Sequence, residues 1–304
     1  MKIAILGASG IGKFHAKIFN KFDVEIISIL SSSKTSGEAT SRNLNETLGL
    51  NLHFFVDLEL LISESKPDAV VISTPNEMHY EQIMYLLDNR IPIFCEKPLF
   101  WNWGDNYLTF SKKLLSIKEH PYRVIFVNTS SAHYISSIRS HLPLLKDIKT
   151  FSFKFSTQGN KTYKQIAEDL LPHGLSLLIE LFGCNQIKKY NEEISKFSFK
   201  CNFIYSDCIV NFEFNVGIHL EKVFMFLINE DKYIRKQKEG FNEYKVYLEL
   251  VNQKNKIKID DPFEIYARRF VDFCLENNSK SDDFFEISHN LTLMAKILLN
   301  KKLL

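Results

Sequence analysis

The chain has 304 residues, of which 45% are hydrophobic and 24% charged, so it can bury a sizeable core and is not expected to be disordered. A formal net charge of +2 is too small to favour nucleic acid or an anionic membrane as a partner. Its length suggests about two domains.

The distribution of cysteines and apolar residues bears on where the protein works. The five cysteines form no Cys-x-x-Cys pair, which predicts free thiols in a reducing compartment. The apolar run at the N-terminus is short and ends in glycines, unlike a secretion signal. No uninterrupted run of about 18 apolar residues occurs. We therefore expect a soluble cytoplasmic protein without a membrane span.

Apolar strands and amphipathic helices alternate in the first half of the chain. The predicted strands cover residues 2–6, 23–30, 66–74 and 91–95. Helices with one apolar face are predicted after the first strand and at residues 77–89. This alternation is typical of right-handed βαβ units and of a parallel sheet buried on both faces. Such sheets bind ligands beyond the carboxyl ends of their strands.

The second half of the chain follows a different period. Apolar and polar residues alternate along residues 151–156, 197–203, 210–216 and 244–250. Period-two alternation predicts an antiparallel sheet with one wetter face. We therefore divide the chain into a first domain at residues 1–124 and an α+β domain at residues 125–304. Asp261, Pro262 and Glu264 predict the start of a helix near the end of the chain.

A glycine-rich turn, GASGIG, occupies residues 7–12 between the first strand and a helix. Gly7 permits a tight turn and Gly12 lets the helix pack closely on the strand, as in a dinucleotide fingerprint. Ser9 stands where such fingerprints have their middle glycine, with Gly10 beside it. A pyrophosphate would lie at the helix N-terminus, where free N–H groups favour an anion. The predicted cofactor contacts here are Gly7, Ser9, Gly10, Ile11 and Gly12.

The end of the second strand indicates which nicotinamide cofactor is bound. An acidic residue would accept the ribose 2′-hydroxyl of NAD, but the strand ends in Ser31, Ser32, Ser33 and Lys34. Hydroxyls and an ammonium group suit a 2′-phosphate. We therefore prefer NADP to NAD. A solvated serine loop that contacts no ligand is the alternative.

Two further motifs follow predicted strands, STPNEMH at residues 73–79 and CEKP at residues 95–98. In CEKP two charged residues and a proline follow directly on a buried strand. Together with GASGIGKFH, these motifs resemble the Gfo/Idh/MocA oxidoreductase family in order and spacing. The resemblance implies a Rossmann domain with a doubly wound parallel sheet, followed by an α+β domain with a large, mainly antiparallel sheet. It also implies a nicotinamide cofactor and a sugar, polyol or sugar-derivative substrate.

The resemblance assigns roles to residues of these motifs. Lys97 would contact the reacting hydroxyl or carbonyl, Glu96 would shape the cofactor side, and the Lys97–Pro98 bond is expected to be cis. His79 and His15 match family histidines that support loops. The cofactor contacts that it implies in these segments are Thr74, Pro75, Asn76, His79, Glu96 and Lys97.

A segment of the second half, EDLLPHGLSLL at residues 168–178, resembles the D-x-G-x-H segment of the family. Asp169 and His173 take the aspartate and histidine positions, and Leu171 replaces the glycine. Pro172 suggests the first turn of a helix. An imidazole suits proton transfer near neutral pH, so His173 is the candidate acid or base and Asp169 would orient it or hold a substrate hydroxyl. Lys97 itself is the alternative proton donor.

The expected function is hydride transfer between NAD(P) and a hydroxyl or carbonyl carbon of a sugar, polyol or sugar-nucleotide-like substrate. Two alternatives stay open: a degenerate cofactor-binding sensor, and an enzyme that uses bound cofactor without net redox change. No metal-ligand spacing occurs among the nine histidines. The open face of the second sheet suggests a homo-oligomer, either a dimer or a tetramer.

Overall fold

The computed structural model describes residues 1–239, 244–251, 255–276 and 284–300. The chain forms two compact units. Unit 1 comprises Met1–Asn128 and Phe263–Ile287, and unit 2 comprises Thr129–Pro262 and Ser288–Leu304. The first unit thus ends four residues after the division predicted at residue 124, and it also includes a segment from near the end of the chain. That the units serve cofactor and substrate respectively stays a prediction.

The helices and strands have the following bounds in chain order. The helices are α1 Ile11–Phe19, α2 Lys34–Leu48, α3 Leu58–Ser65, α4 Asn76–Asp88, α5 Tyr107–Lys118, α6 Ala132–Ile138, α7 Tyr163–Phe182, α8 Pro262–Leu275 and α9 Phe284–Leu299. The strands are β1 Lys2–Leu6, β2 Glu25–Leu30, β3 His53–Phe55, β4 Ala69–Ile72, β5 Ile93–Cys95, β6 Ile125–Val127, β7 Thr150–Thr157, β8 Ile187–Ser195, β9 Ser198–Tyr205, β10 Cys208–Val216, β11 Val223–Ile228, β12 Asp231–Glu239, β13 Tyr244–Leu250 and β14 Asn255–Ile259.

Unit 1 contains a parallel sheet with the strand order β3-β2-β1-β4-β5-β6. Every residue of β4 and β5 is buried, as expected for a sheet covered on both faces. The strand order reverses between β1 and β4, and ligands of open parallel sheets bind at such a switch point. The prediction of a doubly wound sheet in this part of the chain is confirmed.

Unit 2 contains a second sheet with the order β14-β13-β12-β11-β7-β10-β9-β8. All neighbours in it are antiparallel except β7 and β10, which run parallel. Buried residues alternate with half-buried or exposed ones along β9 and β10, as the period-two pattern predicted. Helix α7 packs on β9 and β10 and leaves the other face of these strands open. The predicted large, mainly antiparallel sheet is therefore confirmed.

One helix start predicted from the sequence is wrong. Helix α7 begins at Tyr163, so Pro172 lies inside the helix rather than in its first turn. The start is set by Thr162 and Gln165, which form a capping box. The helix continues past Pro172 because its apolar face is buried from Ile166 onward. By contrast, α8 does begin at Pro262, as predicted.

Two further structural findings concern the helices and the thiols. Among the described residues, no helix is both long enough and apolar enough to cross a membrane. All five cysteines are free thiols.

Candidate active site

The predicted cofactor motifs of unit 1 converge at one edge of its sheet. The glycine turn follows β1, the Ser73–Asn76 segment follows β4, and Glu96 and Lys97 follow β5. These three strands are neighbours in the sheet, and all run in the same direction. Their carboxyl ends therefore lie side by side at the switch point.

The glycines of the turn have distinct structural roles. Gly7 has a φ of +81°, and a Cβ added to it would lie 2.7 Å from the carbonyl oxygen of Ser73. A Cβ on Gly12 would lie 2.2 Å from the oxygen of Gly7, so only glycine lets α1 start this close to β1. Gly10 has a φ of +56°, but a Cβ there would meet no atom within 4 Å. The backbone at Gly10 is therefore open to approach.

The N-terminus of α1 suits an anion. Among the described residues, no side chain caps α1 at its N-cap, Gly10. The first turn of α1 contains no acidic residue. Ser9 and Ile11 on either side of Gly10 are exposed. An uncapped helix start with open backbone fits the pyrophosphate of a dinucleotide.

The serine segment after β2 is partly used by the fold itself. Ser33 is the N-cap of α2, and its Oγ accepts a hydrogen bond from the backbone N–H of Ser36 at 3.2 Å. The backbone N–H of Ser31 donates to the carbonyl oxygen of Phe55 on β3. Ser32 and Lys34 are exposed. Ser33 therefore has a structural role in this segment. The hydroxyl of Ser32 and the ammonium group of Lys34, on either side of it, are accessible.

Glu96 lies in a buried hydrogen-bond network. Its Oε1 is 2.6 Å from Nε2 of His15 on α1 and accepts a 2.7 Å hydrogen bond from Nδ2 of Asn128. His15 is 1% exposed, Glu96 7% and Asn128 2%. Backbone bonds from Glu96 to Ile72 and from Asn128 to Cys95 hold the same segment. The network fixes the backbone from which Lys97 extends.

The charges around Glu96 keep it ionised. Burial alone raises the pKa of this carboxyl group, but several neighbours oppose that effect. The hydrogen bond and charge of His15, the charge of Lys97 and the hydrogen bond from Asn128 together lower the pKa of Glu96 to about 2. Asn128 did not emerge from the sequence. No strand was predicted at residues 125–127, so nothing in the sequence analysis indicated a polar residue at the end of β6.

His79 connects two of the loops. Its Nε2 lies 2.8 Å from the carbonyl oxygen of Thr74, and its Nδ1 lies 3.1 Å from that of Leu99, just after the cis Lys97–Pro98 bond. The ring is fully buried, and burial lowers the pKa of His79 despite these hydrogen bonds. Thr74 in turn donates from its hydroxyl to Oε1 of Gln82 at 2.6 Å. His79 thus supports the loops around Lys97 from within the core.

The second pair of predicted catalytic residues lies on α7 of unit 2. Nδ1 of His173 is 2.8 Å from Oγ of Ser131, and its ring packs edge-on against Phe155 at 5.3 Å. Asp169 is one turn earlier and accepts a hydrogen bond from Nζ of Lys161 at 2.5 Å. Both side chains are half-buried. Ser131 was not foreseen, because nothing near it in the sequence indicates a partner 42 residues away.

The strand order and the glycine turn of unit 1 are those of a Rossmann fold. Residues 1–107 match the GFO_IDH_MocA family model, an oxidoreductase family with an NAD-binding Rossmann fold. The resemblance seen in the sequence is thereby confirmed for residues 1–107, which are similar to the Gfo/Idh/MocA family.

Curated relatives match over a similar stretch. D-glucoside 3-dehydrogenase of Escherichia coli K12 is 30% identical over 100 residues, covering 32% of this chain and 27% of the relative. Inositol 2-dehydrogenase 2 of Mycolicibacterium vanbaalenii is 32% identical over 100 residues, covering 33% and 28%. The matched segments thus span little more than a quarter of these relatives.

Similarity in fold extends along the whole chain. The crystal structure of myo-inositol 2-dehydrogenase from Lactobacillus plantarum superposes with a TM-score of 0.75. The alignment covers 99% of this chain and 97% of the other, at 14% sequence identity. At that identity the likeness concerns the fold alone.

Proposed function

We propose that this protein is an NAD(P)-dependent dehydrogenase or reductase that acts on a hydroxyl or carbonyl carbon of a sugar, polyol or sugar-nucleotide-like substrate. The observation that carries the proposal is the buried network of His15, Glu96 and Asn128, which fixes Lys97 at the carboxyl end of β5. Lys97 is half-buried and lies at the edge of the sheet where Rossmann folds bind ligands. A purely structural ion pair between Glu96 and Lys97 would not require that position. The family and the names of the relatives, a glucoside and an inositol dehydrogenase, support this substrate class.

The proposed chemistry involves four side chains. When bound, the nicotinamide supplies or accepts the hydride. Lys97 donates a hydrogen bond to the reacting oxygen and stabilises negative charge that develops there during carbonyl reduction. His173 moves the proton on or off that oxygen, with Ser131 holding its ring through Nδ1. Asp169 orients a substrate hydroxyl or His173.

The direct test replaces Lys97 by Met and measures both turnover and cofactor affinity. We expect turnover to fall at least 100-fold, in the range typical for a lost oxyanion donor or proton-transfer group. Cofactor affinity, followed by fluorescence titration, should change little. Lys112→Met on α5, an exposed lysine in the same unit, is the matched control and should retain full turnover. Near-normal turnover in the Lys97 variant would remove Lys97 from the mechanism.

We propose NADP as the preferred cofactor, held at the start of α2 by Ser31, Ser32, Ser33 and Lys34. Replacement of Ser33 by Asp is a sharp test because aspartate also caps helices, so α2 keeps its start. The added charge would repel a 2′-phosphate and accept ribose hydroxyls. Thermal unfolding should then shift with NADPH in the wild type but with NADH in the variant. A ligand at about 100 times its Kd adds about 2.7 kcal/mol, enough for several degrees.

Other outcomes of the same titration have defined meanings. A shift of the wild type with NADH alone would retain the enzyme and overturn NADP as its cofactor. No shift with NAD⁺, NADP⁺, NADH or NADPH, in protein shown to be free of bound cofactor, would favour the degenerate binding protein. Tightly co-purifying cofactor without net turnover would favour chemistry without net redox change.

We further propose a homo-oligomer assembled through the open face of the sheet in unit 2. This face has a cavity of about 360 Å³ lined by charged side chains of both signs together with apolar ones such as Met225 and Leu227. Within it, Nζ of Lys154 lies 2.8 Å from Oε1 of Glu213. Mixed charge suits a self-complementary surface. Light scattering should give two or four times the chain mass of 35.5 kDa, and a monomer at micromolar concentration would contradict the proposal.

A further inference from the structure

One row of side chains on the helix-covered face of the sheet in unit 2 contains a cation among apolar residues. The row crosses six neighbouring strands, and its neighbours are paired in register except Phe224 and Arg235, which lie one residue beyond the Met225–Ile234 pair. In spatial order they are Phe199, Phe214, Phe155, Phe224, Arg235 and Leu248. On the two sides of Arg235, Phe224 is 2% exposed and Leu248 is fully buried. Arg235 is therefore the one charged residue in an otherwise apolar row.

The side chain of Arg235 is held in place by aromatic residues. Its Cζ lies 4.5 Å from the ring centroid of Phe224 and 5.7 Å from that of Phe155, both within cation–π range. It also donates a hydrogen bond to the hydroxyl of Tyr134, which is 4% exposed. The guanidinium group is thus fixed against two rings and a phenol before any ligand binds.

These contacts hold the cation without neutralising it. Rings and a phenol hydroxyl have no formal negative charge, and the carboxylate of Asp261 acts on the same Tyr134 hydroxyl. Because the guanidinium group is half-buried beside apolar residues, a bound anion would offset part of the cost of its charge. A guanidinium group has five N–H donors in a planar fork, and a single hydroxyl oxygen cannot accept them all. This fork matches the two oxygens of a carboxylate or of a phosphate ester.

Arg235 belongs to the same cluster as the proposed proton-transfer residue. His173 packs 5.3 Å from the ring of Phe155, and Arg235 lies 5.7 Å from that ring. The His173 ring and the guanidinium carbon are therefore within about 11 Å of each other, the sum of those two distances. Ser131, the partner of His173, comes just before α6, and Tyr134, the partner of Arg235, lies on that helix. A sugar with a terminal acidic group can span this reach.

We propose that Arg235 is a binding residue for an anionic group of the substrate, either a carboxylate or a phosphate ester. The substrate is then an acidic sugar derivative rather than a neutral polyol. This inference rests on the proposed function, because it takes His173 as the centre of the reaction. Arg235 selects the substrate by charge and orients it, while proton transfer stays with His173.

The test compares charged and neutral sugars of the same size. Thermal unfolding and calorimetric titration would use D-glucuronate, glucose 6-phosphate and methyl glucoside at one fixed ionic strength. We expect at least one of the two acidic sugars to stabilise the wild type by several degrees and the neutral one to have little effect. In Arg235→Gln the affinity for that acidic sugar should fall about 10- to 100-fold, the range for a lost charge-assisted hydrogen-bonding partner. The two acidic ligands distinguish a carboxylate from a phosphate site.

A matched control comes from the next residue of β12. Lys236 is exposed, and Lys236→Gln removes the same charge from the opposite face of the strand. It should retain the affinity of the wild type. The proposal is overturned if methyl glucoside binds as well as the acidic sugars, if neither acidic sugar binds, or if Arg235→Gln and the wild type bind them equally.

The proposed function and this inference fail in different ways. Loss of the function would appear as absent cofactor-dependent stabilisation, or as unchanged turnover in Lys97→Met. Loss of the inference would appear as acidic-sugar binding that is absent or independent of Arg235. Because sugar binding is measured apart from turnover, each result can occur without the other.

Discussion

At the scale of single residues, a buried carboxylate is stabilised by partners from two other segments of the chain. Glu96 follows β5, His15 belongs to α1, and Asn128 follows β6. Moving a carboxylate into a protein interior costs several kcal/mol unless it is paired and hydrogen-bonded. The two short bonds at Oε1 meet that requirement. They also make the loop before the cis proline depend on the charge of Glu96.

Replacement of Glu96 by Gln is expected to lower the free energy of unfolding by about 3 kcal/mol at pH 7, because two buried hydrogen bonds lose their charged acceptor. The pKa of Glu96 in the folded state, about 2, lies below its ordinary value of 4.5. The stabilisation from the carboxylate is therefore fully present above about pH 4.5 and is lost as the pH falls towards 2. The difference between wild type and variant should shrink over that window.

Urea unfolding followed by tryptophan fluorescence measures this effect in the right part of the molecule. Both tryptophans, Trp101 and Trp103, lie in unit 1. Glu264→Gln is the control, because its pair with Lys21 is partly exposed and should contribute less than about 1 kcal/mol. A variant at Glu96 as stable as the wild type at pH 7, or a difference that does not change with pH, would contradict the assignment.

At the scale of elements, a glycine within α7 determines how closely that helix approaches its sheet. A Cβ on Gly174 would lie 2.8 Å from ring atoms of Phe212 and 3.1 Å from those of Phe153. Both rings are buried and pack edge-on against each other, with 6.1 Å between their centroids, so they have little room to move. The adjacent residue is His173, whose ring therefore reaches Phe155 at the sheet surface. Close packing of α7 is thus what positions the candidate proton-transfer residue.

Gly174→Ala is expected to destabilise the protein by about 1–2 kcal/mol. Overpacking a core costs about 1–3 kcal/mol, of which the better helix propensity of alanine returns up to about 1. Circular dichroism should show a melting temperature lower by a few degrees. The double variant Gly174→Ala with Phe212→Leu, which removes the contacting ring atoms, should recover part of that loss. A more stable single variant would mean that α7 is not packed as closely as the contact distances indicate.

At the scale of the whole molecule, a late segment of the chain completes the core of an early domain. Phe270 on α8 is fully buried, with its ring centroid 5.6 Å from that of Phe94 and 5.5 Å from that of Phe126. Ala267 and Val271 belong to the same core. The Rossmann unit is therefore not contained in the first 128 residues, because part of its apolar core is supplied from residue 263 onward.

Phe270→Ala should lower the free energy of unfolding of unit 1 by about 3–5 kcal/mol, the usual cost of removing a buried aromatic side chain. Tryptophan fluorescence during urea unfolding would report it. Phe285→Ala, at a phenylalanine that is 71% exposed, is the matched control and should change stability by less than about 0.5 kcal/mol. Equal effects of the two variants would show that α8 does not contribute to this core.

Much of the architecture could be predicted because it depends on local patterns. Apolar runs at β1, β4 and β5 and alternation at β7, β9 and β10 have periods that determine which residues face a core. The glycine turn after β1 was recognisable because a backbone with positive φ, as at Gly7, favours glycine. The charged pair after β5 was recognisable because a proline follows it directly. The start of α7 was misplaced because Pro172 gave a stronger local signal than the capping box before it.

Sequence alone therefore determined the two sheets, the glycine turn and the position of Lys97 at a strand end, since each follows from residues close together in the chain. Only the tertiary structure decided that His15, 81 residues before Glu96, is its partner, and that α8 joins unit 1. It alone placed Arg235 among phenylalanines of neighbouring strands. These contacts depend on strand order and on how helices return to their sheet, and neither is encoded in a short stretch of sequence.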